Sequence, residues 1–221
     1  MSIFRSIRHL FPNGIRLALS PVPFQIKSAI KHQYAKILAR KCRGTIVKLH
    51  LGSGHTMKQG YINVDNSCQG CLPLDLREVL PFIDGSVSDI YSEHLWEHLP
   101  EKYGLQLFKE AFRVLVPGGK ISTGVPDGKI LLESYVNKLP LSEFRLIDPT
   151  DLPTQPTRMQ MVNQLFRRFN HQYIFDFETM VKVLREIGFE KISQRAFDPA
   201  SDSTHRREWT LYVDAYKPNE S

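Results

Sequence analysis

Residues 46–65 constrain the fold of this 221-residue chain more than any other stretch. An apolar, β-branched run over residues 46–51 breaks at Gly52-Ser53-Gly54. A second apolar run, residues 61–64, ends on Asp65. Glycines directly after a buried parallel strand let the backbone turn sharply and approach a ligand, and a carboxylate at the tip of the next strand can accept both hydroxyls of a ribose. The pattern predicts a nucleoside site, although a Gly-x-Gly turn alone also occurs at ordinary surfaces.

Composition indicates one well-packed globular domain, because 42% of the residues are apolar and 24% are charged. Three cysteines do not make a disulfide framework, and no long uninterrupted apolar stretch could cross a bilayer. We therefore expect a cytoplasmic protein in a reducing compartment.

The net charge of +6 is concentrated at the N-terminus. Residues 1–44 contain nine Lys and Arg and no Asp or Glu, so the remainder is mildly acidic. Apolar residues at helical spacing predict a basic helical extension over residues 1–44, followed by the main domain at 45–221. The extension has three interpretations: a packed helical addition, a patch that contacts anionic lipid or nucleic acid, and an organelle transit peptide.

From residue 46 onward, strands and helices alternate in the manner of an α/β domain. Apolar spacing predicts strands over residues 46–51, 61–64, 71–76, 87–91 and 120–125, helices over 99–116, 128–138 and 177–187, and two closing, antiparallel strands over 190–197 and 209–216. Asp176 is suited to N-cap the last of these helices and Gly188 to end it. Four prolines interrupt residues 139–160, a stretch too long for a simple connector, which we interpret as a lid insertion.

Six motifs occur in an order typical of one family: Leu-His-Leu-Gly-Ser-Gly (49–54), Ile-Asn-Val-Asp (62–65), Leu-Pro-Phe-Ile-Asp-Gly-Ser-Val-Ser-Asp-Ile (80–90), Trp-Glu-His-Leu (96–99), Arg-Val-Leu-Val-Pro-Gly-Gly-Lys (113–120) and Glu-Ile-Gly-Phe-Glu (186–190). Together they resemble the class I S-adenosylmethionine-dependent methyltransferases of the type 11 kind. The resemblance covers roughly residues 45–217 and depends on the ordered set of motifs.

This resemblance implies a Rossmann-like, doubly wound, seven-stranded, mostly parallel α/β sheet with a last antiparallel strand and S-adenosylmethionine as the cofactor. It places Gly52, Ser53 and Gly54 under the methionine part and Asp65 at the ribose. It also places Asp75 and Leu76 at the adenine, and Ser92 and Glu93 beside the methionine. A sulfonium cofactor without phosphates needs carboxylates and backbone carbonyls rather than an arginine cluster, which suits the acidic body.

The spacing of the first crossover departs from the dinucleotide fingerprint. Asp65 follows Gly54 by only eleven positions, against about twenty in that fingerprint. We therefore predict a shortened first crossover without a full helix, and we expect the basic helix near residues 24–40 to cover the face of the sheet that this leaves open.

Methyl transfer is an in-line displacement that needs a base only if the acceptor arrives protonated. The candidate bases are His171, His98 and His94, although each also suits a structural role. Residues 94–98 match the His-x-x-Glu-His signature of inverted zinc peptidases, but that signature needs a helix and a distant third ligand, so we expect no metal. We interpret Cys68 and Cys71 as loop residues rather than a metal or redox pair.

The leading hypothesis is O-methylation of a small molecule, with sugars or glycolipids as acceptors and peripheral membrane contact through the basic arm. The resemblance associates an Asn/Asp-Pro-Pro-Tyr/Phe stretch after the fourth strand with amino methylation of bases. No such stretch occurs there, which argues against a nucleobase-nitrogen enzyme and makes nucleic acid the less favoured partner. Two alternatives stay open: a catalytically silent domain that binds the cofactor or a partner, and an RNA methyltransferase that uses the arm electrostatically.

Overall fold

A computed structural model describes residues 44–66, 71–139 and 156–219, together with positions 33 and 37. The predicted N-terminal helices, the proposed helical cover near residues 24–40 and most of the Pro-rich insertion lie outside the described residues. Within them, no helix is long and apolar enough to cross a membrane.

The described residues form one six-stranded sheet flanked by helices. Its elements in chain order are β1 (Val47–Leu51), β2 (Ile62–Val64), β3 (Val87–Glu93), α1 (Glu101–Val114), β4 (Leu115–Pro126), α2 (Gly128–Val136), α3 (Arg158–Arg167), α4 (Phe177–Ile187), β5 (Glu190–Gln194) and β6 (Thr210–Tyr216). The spatial order is β2-β1-β3-β4-β6-β5, with β1 to β4 parallel and β6 antiparallel to both of its neighbours. The Rossmann-like sheet and its last antiparallel strand are confirmed.

The prediction of seven strands is wrong for the described residues. The expected strand over residues 71–76 is reduced to one parallel bridge between Val64 and Leu72. Leu72 donates to the Asn63 carbonyl at 2.7 Å and accepts from the Asp65 N–H at 3.2 Å, and the regular pairing with β2 ends there.

A buried apolar layer holds the helices against the sheet. The inner strands β1 and β3 are almost wholly buried, as expected for parallel strands covered on both faces. On one side, α1 buries residues at helical spacing, and Phe108 stacks on Trp96 with ring centroids 3.6 Å apart. This contact fixes the short 3-10 helix Trp96–His98 directly after β3.

The first crossover is short and contains no helix, as the spacing predicts. The Asn63 side chain forms hydrogen bonds with backbone groups of the turn that stands in place of the helix. Its Oδ1 accepts from the Lys58 N–H at 2.8 Å, and its Nδ2 donates to the carbonyls of Lys58 and Tyr61 at 3.1 and 3.2 Å. One buried amide therefore pairs backbone groups that a helix would otherwise pair.

The predicted caps of α4 are both present. The Asp176 side chain accepts from the Thr179 N–H at 2.8 Å, and Gly188 ends the helix in the left-handed region with φ 112°.

Candidate functional site

A cleft of about 720 Å³ opens at the carboxyl ends of β1, β2 and β3, a size typical of small-molecule sites. Three segments line it. We call them the glycine wall (His50, residues 52–59 and Asp65), the histidine wall (residues 93–95 and His98) and the cover segment (residues 198–209, which contribute Ala200, Ser201, Ser203 and Arg206).

The glycine wall begins with a turn that only glycine fits. Gly52 has φ +66°, and a Cβ at this position would lie 2.8 Å from Cδ1 of Leu95 on the opposite wall. The Ser53 N–H donates to the Val64 carbonyl at 3.1 Å, and the buried Ser53 Oγ has no hydrogen-bond partner among the described residues. The turn therefore presents closely approachable backbone and a hydroxyl in need of a partner to a ligand in the cleft.

Asp65 lies at the tip of β2, where its Oδ2 accepts from the Gly54 N–H at 3.0 Å. This bond ties the carboxylate to the glycine turn. His50, next to the turn, is 4% exposed and contacts Asn63 Oδ1 through Nδ1 at 3.0 Å. Burial lowers the pKa of His50 to about 4, so this imidazole is neutral near pH 7.

Glu93 fastens the cover segment to the end of β3. Its carboxylate accepts from the Ser203 hydroxyl at 2.6 Å and from the Ser203 N–H at 3.1 Å, and Arg206 lies 3.9 Å away. Asp202 makes a second attachment, because it accepts from Tyr91 Oη at 3.0 Å and from two nitrogens of Arg195 at 2.6 and 2.8 Å. These charge-assisted bonds hold the cover over the cleft.

His94 begins the histidine wall with a strained backbone, at φ 55°. Its Nε2 lies 2.9 Å from Thr210 Oγ1, and that hydroxyl donates to the Arg206 carbonyl at 2.7 Å. Its Nδ1 lies 3.1 Å from Oε1 of Glu97. Burial, followed by the positive charge of Arg206, lowers the pKa of His94 well below its usual value, so its ring is neutral.

Glu97, His98 and His171 cluster behind this wall. The Glu97 side chain is fully buried, and burial raises its pKa to about 6. The rings of His98 and His171 meet edge to face, with centroids 5.0 Å apart. Burial lowers the pKa of His171, whose Nδ1 donates to the Leu165 carbonyl at 2.6 Å. The Glu97 carbonyl accepts from the N–H groups of residues 172 and 173, which fixes His171 beside the 3-10 helix.

Seven of the eleven sequence-predicted site residues line the cleft: Gly52, Ser53, Gly54, Asp65, Glu93, His94 and His98. The other four are placed elsewhere. Ser92 is fully buried and bonds to Thr123 and Trp96, while Asp75 pairs with Arg77. Leu76 is buried in the core, and His171 lies behind His98.

Several lining residues were not singled out from the sequence: His50, Met57, Lys58, Tyr91, Ser201, Ser203 and Arg206. Lys58 reaches the cover segment through Nζ, which donates to the Ser201 carbonyl at 2.8 Å and lies 3.9 Å from the centroid of Tyr91. Of these residues, His50 is the one that a sequence pattern could have indicated, because it lies inside the first strand motif. The cover segment has no motif, because its position depends on pairings across more than 100 residues.

Comparison with known proteins indicates a methyltransferase domain. Residues 32–123 match the family model of a methyltransferase domain, whereas no curated protein matches the chain. A chain in the complex of the Haloferax volcanii Trm112 methyltransferase activator with a putative methyltransferase is 13% identical. The match covers 91% of this chain and 97% of that one, with a TM-score of 0.50.

Two further solved structures are similar at lower scores. A SAM-dependent methyltransferase from Archaeoglobus fulgidus is 16% identical over 83% of this chain and 94% of its own, with a TM-score of 0.49. Phosphoethanolamine N-methyltransferase 2 of Haemonchus contortus, in complex with S-adenosyl-L-methionine, is 14% identical over 83% of this chain, with a TM-score of 0.49. The match spans 52% of that longer enzyme. At these identities the likeness is one of fold.

Proposed function

Because the chain contains a class I S-adenosylmethionine-dependent methyltransferase domain, we propose that it methylates a hydroxyl of a small-molecule acceptor, with sugars and glycolipids as the acceptor class. The supporting observation is the histidine wall, which faces the glycine turn across one cleft. Hydroxyl acceptors arrive protonated, so they need a base close to the transferred methyl group.

The residues of the glycine wall fit the cofactor. The positive φ of Gly52 and the lack of a Cβ there allow the methionine part to approach the backbone, and the unpartnered Ser53 hydroxyl is available to its polar groups. We assign Asp65 to the ribose diol. Glu93 binds Ser203 and in this way keeps the cover segment over the methionine part. Asp75, paired with Arg77, and buried Leu76 lie outside the cleft and support no direct contact with adenine.

The bound cofactor supplies a methyl group on a positively charged sulfur. The acceptor oxygen forms a bond to the methyl carbon, the carbon–sulfur bond breaks with both electrons going to sulfur, and the hydroxyl proton leaves. His98 is placed to take that proton, because it lines the cleft and its side chain is 37% exposed. Neutral His94 is buried and its Nε2 is committed to Thr210, so it positions the wall.

The basic arm, residues 1–44, supports a peripheral membrane contact that would bring a lipid-linked acceptor to the cleft. Nine cationic side chains without an acid favour anionic headgroups. We expect the full-length chain to cosediment with vesicles containing phosphatidylserine at low salt and to be released at high salt. Equal binding to neutral vesicles would contradict this electrostatic contact.

A panel of acceptors tests the proposed reaction. Purified protein is incubated with S-adenosylmethionine labelled in the methyl group and with nucleotide sugars, simple glycolipids, primary amines or total RNA. We expect base-stable label on sugar-containing acceptors. Label on amines or RNA would replace the proposed acceptor class, and cofactor binding without transfer to any of them would favour a silent binding domain.

A further inference from the structure

Glu97 carries a buried carboxylate that receives none of the hydrogen bonds that would stabilise its ionised form. Its side chain is 0% exposed, and neither Oε1 nor Oε2 has a hydrogen-bond partner among the described residues. Hydrogen bonds or a counter-charge normally compensate a buried carboxylate. The carbonyl of Glu97 accepts from the N–H groups of residues 172 and 173, so the deficit concerns its side chain.

His94, the nearest polar group, does not meet this need. Thr210 has one hydroxyl proton, which it donates to the Arg206 carbonyl, so Thr210 Oγ1 accepts from Nε2–H of His94. Nδ1 of His94 lies 3.1 Å from Oε1 of Glu97 and forms no hydrogen bond with it.

On its other side, Glu97 meets two imidazoles. Each of Glu97, His98 and His171 offers one potential metal-ligand atom, and these three atoms lie within 4.8 Å of one another. His98 Nε2 lies 4.0 Å from Glu97 Oε1. His171 donates from Nδ1 to the Leu165 carbonyl, which leaves the lone pair on Nε2. A backbone carbonyl that fixes the tautomer in this way is the usual outer partner of a metal-binding histidine.

From these contacts we propose that Glu97, His98 and His171 bind a divalent first-row transition-metal cation at the base of the histidine wall. Two imidazoles and one carboxylate suit Zn²⁺, Co²⁺ or Mn²⁺ better than Mg²⁺ or Ca²⁺, which prefer oxygen ligands alone. Tetrahedral ligands at about 2.1 Å from a cation stand about 3.4 Å apart. A small rotation of the partly exposed His98 ring would bring its Nε2 from 4.0 Å to this distance from Oε1 of Glu97.

The location links the cation to the cleft, and this part of the inference rests on the proposed function. His98 lines the cleft, whereas Glu97 and His171 lie behind it, so a cation bound there would fix the His98 ring in the cleft wall. With the cation bound, Nε2 of His98 would serve as a ligand, and the acceptor proton would leave to water.

Cobalt titration tests the site without any turnover. Full-length protein, stripped with a chelator, is titrated with Co²⁺ while visible d–d absorption is recorded, beside Glu97→Gln, His98→Asn and the control His205→Asn, an exposed histidine outside the cleft lining. We expect one Co²⁺ per wild-type chain without a thiolate charge-transfer band. We expect affinity to fall about tenfold or more in the first two variants, as for loss of a ligand partner, and to be unchanged in the control.

Three results would overturn the site: no Co²⁺ bound by the wild type, equal affinity in Glu97→Gln, or a thiolate band that assigns the cation to cysteine. Retained binding of S-adenosylhomocysteine shows that each variant is folded, and His98→Asn alters only a partly exposed side chain. If Co²⁺ binds but no hydroxyl is methylated, the metal site stands and the proposed function fails. If sugar methylation survives complete removal of metal, the role of the cation in the cleft wall fails.

Discussion

The glycine wall and the histidine wall of the cleft are assembled in different ways. The glycine wall comes from one stretch of about sixteen residues, in which Gly54 and Asp65 are joined by a single hydrogen bond. The histidine wall needs contacts between distant segments, since the cover segment bonds to Glu93 across 110 residues and His171 meets Glu97 across more than 70. One wall is held by bonds within its own stretch of sequence, and the other is held by segments that are distant in the sequence.

The two walls also differ in chemistry. The glycine wall offers the cleft backbone groups, a serine hydroxyl and one carboxylate, and its buried His50 is already engaged by Asn63. The histidine wall contains the strained, buried His94, and Glu97, a carboxylate without hydrogen-bond donors, lies behind it. Perturbed and strained groups concentrate at reactive sites, so we assign cofactor binding to the first wall and the chemistry to the second.

The largest expected effect is on the histidine wall. We expect His98→Asn to lower kcat about 10²- to 10⁴-fold, because it removes the side chain that receives the acceptor proton or holds the cation. Radiometric turnover with an acceptor from the panel measures it. The matched control is His205→Asn, for which we expect unchanged kcat. Similar rates for both variants would remove His98 from the mechanism.

The next effect concerns the stability of the glycine wall. Gly52→Ala should lower the free energy of unfolding by about 3 kcal/mol, because it adds left-handed strain and a clash with Leu95. Gly60→Ala is the control, since Gly60 has φ +84° but open space around a Cβ, and should cost about 1–2 kcal/mol. Urea unfolding measures both. Equal losses would mean that the approach of Leu95 to the turn is not tight.

A pH dependence should come from the same wall. Because the folded pKa of His50 is about 4 and the unfolded value is 6.5, the unfolded chain binds more protons between these values. The part of the stability that His50 controls should therefore be full above pH 6.5 and fall by roughly 3 kcal/mol at most as the pH drops toward 4, in addition to losses from His94 and His171, whose pKa values burial also lowers. Urea midpoints from pH 4 to 8 measure this loss. His50→Gln should flatten that profile, whereas His55→Gln, an exposed change in the same wall, should not.

The smallest effect should appear in the cover segment. Ser203→Ala removes the hydroxyl that donates to Glu93 at 2.6 Å and should weaken S-adenosylhomocysteine binding roughly threefold. The Ser203 N–H bond to Glu93 remains and limits the loss. Exposed Ser193→Ala on β5 serves as the control in the same calorimetric assay. An unchanged affinity in Ser203→Ala would show that the cover does not act on the cofactor.

The sequence predicts what is local. The strand, glycine turn and acid of residues 46–65, the short crossover and the caps at Asp176 and Gly188 all follow from neighbouring residues, and the structure confirms them. The expected strand over residues 71–76 is reduced to the single bridge between Val64 and Leu72. The sequence predicts no metal at the His-x-x-Glu-His signature of residues 94–98, because the burial of Glu97 and its approach to His171 are not visible in the spacing of a motif.

Calorimetric titration of S-adenosylhomocysteine into wild type, Asp65→Ala and His98→Asn tests the division of labour between the walls most directly. We predict that Asp65→Ala weakens binding about tenfold or more, as loss of a hydrogen-bonded carboxylate should, and that His98→Asn stays within about twofold of the wild type. Equal weakening of binding by both variants, or a greater loss of affinity in His98→Asn, would contradict this division of labour.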